Sequence, residues 1–304
     1  MKILVTGSEG FIGKALVNRL KKDGHEVFGF DILKGQDMLN YGQAQSAVRG
    51  MDAVMHLAAA ADLNWVRDHP HEAYELNVTG AKNMAFACAE SGATLYYAST
   101  CCAYGNQKVH PSTEETLPNP SDFYAATKLA GENVILAYAK QFGLKYNIMR
   151  FATIYGPGMR NALAPHIFFR RAFSNKPILL HGSGEQTRTL TFIDDLVDGM
   201  SRLVRAPILG EIINLTTEEE VSAKEMAEHI KKLTNSASEI LCVADRPGQT
   251  HKESISAAKA KQLFGWQAEH CFFDGLKKTH QWFLDNPEEL DKHYEYEPNH
   301  SREA

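Results

Sequence analysis

The sequence predicts an α/β protein with a doubly wound parallel sheet, followed by a smaller mixed α/β domain. Two observations support this prediction. Short apolar runs alternate with stretches of helical spacing through the first half of the chain, and a glycine-rich turn joins the first run to the first helix. Strands that alternate with helices in this way form a parallel sheet with helices on both faces. After about residue 158 the alternation becomes irregular, which indicates a second unit.

The first half contains five predicted strands and three predicted helices. The strands are Lys2–Thr6, His25–Asp31, Asp52–Ala58, Thr94–Ser99 and Lys145–Phe151, and the helices are Phe11–Lys22, Ala73–Ser91 and Phe123–Phe142. Each strand is a short apolar run, whereas each helix has helical spacing of its apolar residues. The sequence Tyr155-Gly156-Pro157-Gly158 then forms a turn-rich break.

Beyond that break the predicted elements are shorter. The helices are Pro165–Phe173, one that begins at Asp194, Ser222–Leu233, Ser256–Phe264 and Phe272–Leu284, and the strands are Pro177–Leu180 and Glu211–Leu215. Asp194 is expected to cap its helix, and Glu211–Leu215 is expected to return to the main sheet. Residues 1–158, with a returning helix and strand near 194–215, would form the first domain and residues 159–285 the second. The polar tail, residues 286–304, is expected to fray.

Length, charge and cysteine usage exclude several classes of protein. The chain has 304 residues and a formal net charge of −5 without a basic stripe, so nucleic acid is not an expected partner. It has no run of 18 apolar residues, so no membrane span is expected. The first strand begins at residue 2, which leaves no room for a signal peptide. The five cysteines lack zinc-ligand spacing, so no metal site is expected and a reducing cytoplasm is favoured.

The turn between the first strand and the first helix predicts a phosphate-binding site. It reads Thr6-Gly7-Ser8-Glu9-Gly10-Phe11-Ile12-Gly13. Backbone N–H groups and the helix dipole there can hold a pyrophosphate, and glycines allow its close approach. The predicted contacts are Gly7, Gly10, Phe11, Ile12 and Gly13. The spacing Gly-x-x-Gly-x-x-Gly differs from the common Gly-x-Gly-x-x-Gly, and a purely structural tight turn is the alternative.

Asp31 closes the second predicted strand. A carboxylate at this place in a Rossmann-type domain can accept hydrogen bonds from both hydroxyls of a ribose, and it would repel a 2′-phosphate. The sequence therefore predicts that residues 1–158 bind NAD rather than NADP. A solvated residue at the end of a strand is the alternative interpretation.

Tyr124-Ala125-Ala126-Thr127-Lys128 opens the long predicted helix. Because Tyr124 and Lys128 are four residues apart, they share one helix face. An ammonium group beside a phenol favours the phenolate, so Lys128 is expected to lower the pKa of Tyr124. By itself such a pair is often only helix surface.

In combination these motifs are specific. The chain carries, in order, the glycine turn, Asp31, His56-Leu57-Ala58-Ala59, Asn77-Val78-Thr79-Gly80, Ser99-Thr100, Tyr124 with Lys128, and Arg150-Phe151-Ala152-Thr153-Ile154-Tyr155-Gly156-Pro157. From Met1 to about Leu284 it resembles the extended short-chain dehydrogenase/reductases, and among them the NAD-dependent nucleotide-sugar epimerases and dehydratases.

The resemblance implies roles for individual residues. Tyr124 would be the acid/base that takes a proton from a sugar hydroxyl as hydride leaves. Lys128 would be its partner and hold the nicotinamide ribose, and Thr100 would hydrogen-bond the reacting oxygen. The other implied cofactor contacts are Asp37 and Met38 at the adenine, Leu57, Ala58 and Ala59 beside the phosphates and ribose, and Asn77 in support near the cofactor.

The second half resembles the nucleotide-sugar domain of that family. Arg188, in Gly184-Glu185-Gln186-Thr187-Arg188, would bind the nucleotide ribose or diphosphate, and Arg246 would bind the diphosphate. A surface ion pair is the alternative interpretation of each arginine. Thr153 stands where the family usually has an asparagine that contacts the diphosphate, so Thr153 is a further candidate substrate contact.

Cys101 and Cys102 bear on the reaction. The equivalent positions in 4,6-dehydratases are typically Asp and Glu, and UDP-glucuronate decarboxylases typically carry Glu at the second. A neutral thiol cannot replace a carboxylate acid without a shifted pKa. We therefore expect an epimerase, most simply a 4-epimerase of a UDP-hexose that acts through a transient 4-keto sugar.

Several alternatives remain open at this point. GDP-mannose 3,5-epimerases place a catalytic cysteine where this chain has Cys102, although their partner lysine is missing from residues 161–165. Inversion at carbons 3 and 5 is thus one alternative, whereas both cysteines could be small buried fillers. A nucleotide-sugar oxidoreductase or dehydratase is another alternative, and a non-catalytic NAD-binding regulator is a remote one.

Two further expectations concern the substrate and the assembly. Glu253 aligns loosely with the position that gates sugar size in 4-epimerases, where a carboxylate would discourage a uronic acid, bond a sugar hydroxyl or point to solvent. The resemblance also implies a homodimer through helices Ala73–Ser91 and Phe123–Phe142. The apolar positions compatible with that interface, or with an intrachain core, are Val134, Ile135, Ala137 and Tyr138.

Overall fold

The computed structural model describes residues 1–245, 251–292 and 294. In chain order its strands are β1 (Lys2–Thr6), β2 (Glu26–Phe30), β3 (Ala53–His56), β4 (Thr94–Thr100), β5 (Tyr146–Phe151), β6 (Thr153–Tyr155), β7 (Ile178–His181), β8 (Thr187–Phe192), β9 (Glu211–Leu215), β10 (Glu220–Ser222) and β11 (Ile240–Val243). Its α-helices are α1 (Phe11–Lys22), α2 (Tyr41–Val48), α3 (Leu63–Asp68), α4 (Pro70–Tyr74), α5 (Gly80–Ser91), α6 (Phe123–Phe142), α7 (Ala164–Phe173), α8 (Ile193–Arg205), α9 (Ala223–Leu233), α10 (Ala258–Phe264) and α11 (Phe272–Asp285).

Six strands form the main sheet, in the order β2-β1-β3-β4-β5-β9, and every neighbouring pair is parallel. The prediction of a doubly wound parallel sheet is confirmed, and so is the return of Glu211–Leu215 to it. Along the chain, β2 is added on one side of β1 and β3 on the other, so the direction in which strands are added reverses between β1 and β3. In such sheets a crevice for ligands opens at the carboxyl ends of the strands on either side of this reversal. Two smaller sheets, β10-β8-β6 and β11-β7, lie in the second half.

The main sheet is buried on both faces, as parallel sheets usually are. Side chains along β1 alternate between two clusters: Ile3 and Val5 pack in one, and Leu4 packs in the other. The first cluster includes apolar residues of α1 and α8, and the second includes residues of α2, α5 and α6. Trp266 closes the first cluster where it packs against Gly199 of α8.

Most predicted elements agree with the structure to within about two residues, and α1 and α6 agree exactly. The predicted helix Ala73–Ser91 is the end of a longer helical stretch, which begins at Pro70 and contains a wider π-helical turn over Glu75–Thr79. The short elements α2, α3, β6, β8, β10 and β11 were not predicted. No helix of the described residues is long and apolar enough to cross a membrane.

One local prediction is wrong. Asp194 does not cap α8, because the cap position is Phe192 and Asp194 lies in the first turn. Its carboxylate is 3.8 Å from Lys278 Nζ. At the start of the tail, Pro287–Asp291 forms a 3-10 helix. Beyond it, the Tyr294 hydroxyl donates a hydrogen bond to Asp62 at 3.0 Å.

Candidate functional site

A large cavity of about 1130 Å³ opens at the carboxyl ends of the central strands. One part of its wall is the glycine turn that follows β1. Another part comes from the second half of the chain, including Arg188 and Glu253. Thr100 at the end of β4 and Tyr124 at the start of α6 line the same cavity. The fold thus brings together residues that the sequence places far apart.

The glycine turn has the shape of a phosphate cradle. Gly7 has a left-handed φ of +69°, and a Cβ there would press on the backbone of Ala58. A Cβ at Gly13 would collide with the carbonyl oxygen of Gly7. Gly10 precedes α1 without a side-chain cap, and the first turn of α1 contains no acidic residue. The N-terminus of α1 therefore retains the N–H groups and positive dipole that a pyrophosphate requires.

Asp31 stands beside this turn. Its Oδ2 accepts a hydrogen bond from the Glu9 N–H at 2.9 Å, and its Oδ1 accepts one from the Leu33 N–H at 2.9 Å. These bonds fix the carboxylate next to the glycine turn, where a ribose bound to the pyrophosphate would lie. Lys34 is paired with Glu9 at 2.7 Å. The cradle and the fixed carboxylate together fit NAD.

The remaining predicted cofactor residues fall into two groups. Phe11, Ile12, Leu57 and Ala59 line the cavity, whereas Asp37, Met38, Ala58 and Asn77 do not. The Met38 side chain is buried against Gly80.

Asn77 supports the wall from behind. Its Oδ1 accepts the Ala60 N–H at 2.8 Å, and its Nδ2 donates to the Ala60 carbonyl and to Thr127 Oγ1, both at 2.9 Å. Asn77 therefore ties the loop after β3 to α6. Thr6 Oγ1 also stabilises this loop, because it accepts hydrogen bonds from the N–H groups of Leu57 and Ala58, each at 3.1 Å.

Tyr124, Thr100 and Lys128 all line the cavity, and Tyr124 hydrogen-bonds with Thr100. Asp122 caps α6 through the Ala125 N–H at 2.8 Å, and this cap sets the first turn that carries Tyr124. Lys128 is one turn later and is buried, with its Nζ 4.2 Å from the centre of the Tyr97 ring. Burial lowers the pKa of Lys128 to about 7, although the charge of Glu132 opposes this.

The pKa of Tyr124 differs from expectation. Burial raises it above its ordinary value, and the charge of Cys102 adds to the increase. The charge of Arg160 and a hydrogen bond with Thr100 lower it in part. The pKa of Tyr124 is therefore raised in the protein alone, and not lowered as predicted, because burial outweighs the charge of Arg160.

The two cysteines occupy different environments. Cys101 is 2% exposed and packs with Tyr104 and Ile255, and its Sγ lies 3.6 Å from the carbonyl oxygen of Arg150. Cys102 is half-buried on the cavity wall. Burial and the charge of Glu253 raise the pKa of the Cys102 thiol to about 12. The thiol is therefore protonated near neutral pH.

The structure describes some, but not all, of the predicted substrate contacts. Arg188 and Thr153 line the cavity, and Arg188 Nη1 donates to the Thr187 carbonyl at 2.7 Å. Arg246 lies outside the described residues. Sequence reasoning missed Arg160 and Tyr294, which both line the cavity. Arg160 lies two residues after the Tyr155–Gly158 break, and a charged residue so close to that break was the available signal. No local signal pointed to Tyr294.

Among residues 1–245, 251–292 and 294, no group of three or more histidine, cysteine or acidic residues is arranged to hold a metal ion.

Comparison with known proteins finds relatives that are similar to this protein along most of the chain. An uncharacterized UDP-glucose epimerase of Bacillus subtilis is 30% identical over 305 residues, which cover 91% of this chain and 96% of that one. UDP-glucuronic acid decarboxylase 1 of Xenopus tropicalis is 29% identical over 303 residues, with 93% and 72% covered.

A solved structure is similar in fold as well as in sequence. The UDP-glucuronic acid 4-epimerase of Bacillus cereus, in complex with UDP-glucuronic acid and NAD, superposes with a TM-score of 0.87 at 28% identity. The match covers 94% of this chain and all of that one. The model of the NAD dependent epimerase/dehydratase family matches residues 3–216. The chain therefore belongs to the NAD-dependent epimerase/dehydratase family, and NAD is its cofactor.

Proposed function

We propose that this protein is a nucleotide-diphosphate-sugar epimerase that inverts carbon 4 of a UDP-hexose through a transient 4-keto sugar. One observation carries the proposal. Thr100 and Tyr124 lie together in a cavity that spans from the glycine turn to Arg188, while positions 101 and 102 carry thiols. Tyr124 and Thr100 supply the hydroxyl groups that oxidation and reduction of one carbinol carbon require. Positions 101 and 102 lack the carboxylates that 4,6-dehydratases and UDP-glucuronate decarboxylases typically carry there.

The roles are those that the family resemblance implies, and the positions of the residues on the cavity wall are compatible with them. The Tyr124 oxygen takes the proton of the sugar hydroxyl, and the Thr100 hydroxyl holds the same oxygen in place. When bound, NAD supplies the acceptor and the donor of the hydride. Lys128 holds the ribose next to this pair from its buried position one turn along α6. After the keto sugar has turned in the cavity, Tyr124 returns the proton.

Contacts with the two ligands are assigned in the same way. We assign the cofactor to the glycine turn, Asp31 and the neighbouring wall residues, with Asp37 and Met38 towards the adenine and Asn77 behind the wall. We assign the diphosphate to Arg188, Thr153 and Arg246, because guanidinium and hydroxyl groups suit its charge. Residues 1–158 would then form the cofactor domain and residues 159–285 the substrate domain.

Two observations argue against inversion at carbons 3 and 5 through Cys102. The partner lysine of the 3,5-epimerases is missing from residues 161–165, and the charge of Glu253 disfavours a thiolate at Cys102. Cys101 is buried with Tyr104 and Ile255. We infer that both cysteines act as small side chains beside the sugar.

The test is isomer formation. The protein with NAD is incubated with UDP-glucose or UDP-galactose, and the anomeric proton is followed by NMR. We expect the other 4-epimer to appear with no net change in the reduced-nicotinamide absorbance. Tyr124→Phe should lower kcat by at least about 100-fold, whereas Tyr138→Phe, the same change on α6 outside the cavity, should not.

Two results would contradict the proposal. A stoichiometric change in nicotinamide absorbance would indicate net oxidation or reduction instead. The absence of a new isomer with UDP-, GDP-, CDP- and dTDP-hexoses alike would exclude epimerase activity, and unchanged turnover in Tyr124→Phe would exclude the assigned acid/base.

A homodimer through α5 and α6 accompanies this proposal. Phe86, Tyr138 and Phe142 form a row of aromatic rings, with centroids 6.0 and 5.1 Å apart, and Phe142 is 58% exposed. Ile135, by contrast, is fully buried in the intrachain core. Light scattering on the protein and on Phe142→Glu would show whether this row holds two copies together. We place the dimer in the cytoplasm, in keeping with five free cysteines.

A further inference from the structure

The ammonium group of Lys128 makes no salt bridge with any residue that the structure describes. Lys128 is buried, so water solvates the group little. Glu132 follows one turn later on the same face of α6, but both of its carboxylate oxygens already accept hydrogen bonds from the Arg150 guanidinium. Because a buried charge without a partner is costly, another group must stabilise the ammonium.

The ring of Tyr97 lies in contact with this ammonium. Lys128 Nζ is 4.2 Å from the centre of the ring, and Tyr97 is fully buried on β4. A cation over the face of an aromatic ring is attracted by the electrons of the ring, and the attraction is stronger where water is excluded. Burial raises the pKa of Tyr97 well above its ordinary value, so the contact is with a neutral ring and not with a phenolate.

Three contacts fix the Tyr97 ring in this position. Its hydroxyl donates to the Lys128 carbonyl at 3.4 Å. A Cβ at Gly131 would collide with the same hydroxyl oxygen, so glycine leaves the space that the ring needs. The ring of His56 packs on that of Tyr97, with centroids 5.8 Å apart. The place of the ring beside Lys128 is therefore set by β3, β4 and α6 together.

Lys128 changes its charge near neutral pH, because burial lowers its pKa to about 7. The groups that face it behave differently. Burial and the charge of Lys128 lower the pKa of His56 to about 3, burial raises the pKa of Tyr124, and Glu132 is held in its ion pair with Arg150. A modest change in what stabilises the ammonium therefore alters the charge of Lys128 at physiological pH.

We infer that Tyr97 is a positioning residue, whose ring face keeps the ammonium of Lys128 charged and in place for the ribose of NAD. This inference rests on the role of Lys128 in the proposed function and adds to it. The ammonium donates stronger hydrogen bonds to ribose hydroxyls than a neutral amine does, and its charge favours loss of the proton from Tyr124. Tyr97 does not line the cavity, so it acts through Lys128.

The experiment measures NAD affinity by calorimetry between pH 6 and 9, so it does not depend on turnover. It compares the unaltered protein with Tyr97→Phe, Tyr97→Leu and a protein that carries trifluorinated phenylalanine at position 97. The fluorines keep the shape of the ring but remove its attraction for a cation. Tyr96→Leu is the matched control, because Tyr96 is buried on the same strand, packs in the other cluster and does not line the cavity.

We expect the NAD affinity of the unaltered protein to fall as the pH rises above about 7, where Lys128 loses its proton. In Tyr97→Leu and in the fluorinated protein this fall should begin about one pH unit lower, because the charged form has lost the ring's attraction. Tyr97→Phe and Tyr96→Leu should match the unaltered protein. The fluorinated protein is decisive if Tyr97→Leu does not fold.

An unshifted curve in the fluorinated protein, or an equal shift in Tyr96→Leu, would overturn the inference. An NAD affinity of the unaltered protein that is independent of pH over this range would overturn both the inference and the role assigned to Lys128. Shifted curves without any isomer from the nucleotide sugars would overturn the epimerase and leave the role of Tyr97.

Discussion

Glu132 and Arg150 form a bidentate ion pair beneath the helix face that carries Tyr124 and Lys128. Arg150 Nε donates to Glu132 Oε1 at 2.9 Å, and Nη2 donates to Oε2 at 2.6 Å. The two side chains are 1% and 3% exposed. Ser99 also donates to Glu132. The pair joins α6 to β4 and β5, and it places a negative charge one turn from Lys128.

Removal of the Glu132 charge should destabilise the fold. Glu132→Gln leaves the Arg150 guanidinium without a counter-charge in a buried site, which costs about 3–5 kcal/mol when one partner of such a pair is lost. The pKa of Lys128 should fall further, because Glu132 opposes its decrease. Urea unfolding measures the free energy change. Glu228→Gln, an exposed change on α9, should stay within about 0.5 kcal/mol, and a loss below about 1 kcal/mol in Glu132→Gln would contradict the prediction.

A methyl group in the phosphate cradle should disturb NAD binding. In Gly13→Ala the new Cβ collides with the Gly7 carbonyl, which is already held by the Gly10 N–H at 3.1 Å. The turn must open, so we expect NAD affinity to fall by at least about tenfold, with a loss of stability of about 1–3 kcal/mol. Calorimetric titration with NAD measures the affinity.

Gly42→Ala provides the control for this change. Gly42 lies in α2, where a Cβ would be 3.4 Å from Asn40 Oδ1, and the alanine should stabilise the helix by up to about 1 kcal/mol. Its NAD affinity should match that of the unaltered protein. Normal NAD affinity in Gly13→Ala would show that the turn does not hold the pyrophosphate.

Because of His166, we expect the free energy of unfolding to decrease at acidic pH. Its ring is 1% exposed and packs edge-on against Phe283. Burial, with the charge of Arg170, lowers the pKa of His166 from 6.5 to about 4. Since the unfolded chain binds this proton more readily, the contribution of His166 is constant above pH 6.5 and declines as the pH falls towards 4. The total decline is about 3 kcal/mol.

The measurement is the pH dependence of the free energy of unfolding between pH 7 and 4. His166→Met should flatten part of the decline, whereas His71→Gln, a change at an exposed histidine, should not. His56, whose pKa is lowered to about 3 by burial, contributes in the same direction and remains in both variants. Parallel curves for the unaltered protein and His166→Met would refute the assignment.

Long elements with local end signals were predictable from the sequence. Helix α6 begins at the Asp122 cap and ends where Gly143 takes a left-handed φ of +68°, and both signals are visible in the sequence. The glycine turn was recognisable because a strand and a helix flank it. By contrast, β8 and β10 contain many polar residues, and they form because they pair with each other and, for β8, with β6.

The parts of the site that depend on distant contacts were not predictable. Local spacing places Lys128 beside Tyr124, but burial by the rest of the fold determines the pKa of both groups. Glu253 aligned only loosely, and its orientation follows from pairing with β8 and with the Ser112 loop. Tyr294 and Asp62 are 232 positions apart, so no periodicity could relate them.

The contact between Tyr294 and Asp62 has a kinetic consequence. Asp62 caps α3 through the N–H groups of Asn64 and Trp65, and both Asp62 and Tyr294 line the cavity. The Tyr294 hydroxyl also accepts a hydrogen bond from Asn64 at 2.8 Å. If the proposed substrate binds in this cavity, it lies against Tyr294, and its residence time then depends on how long these hydrogen bonds persist. Loss of the hydroxyl in Tyr294→Phe would speed product release, whereas a tag at Met1, at the opposite end of β1 from the cavity, would leave the release rate unchanged.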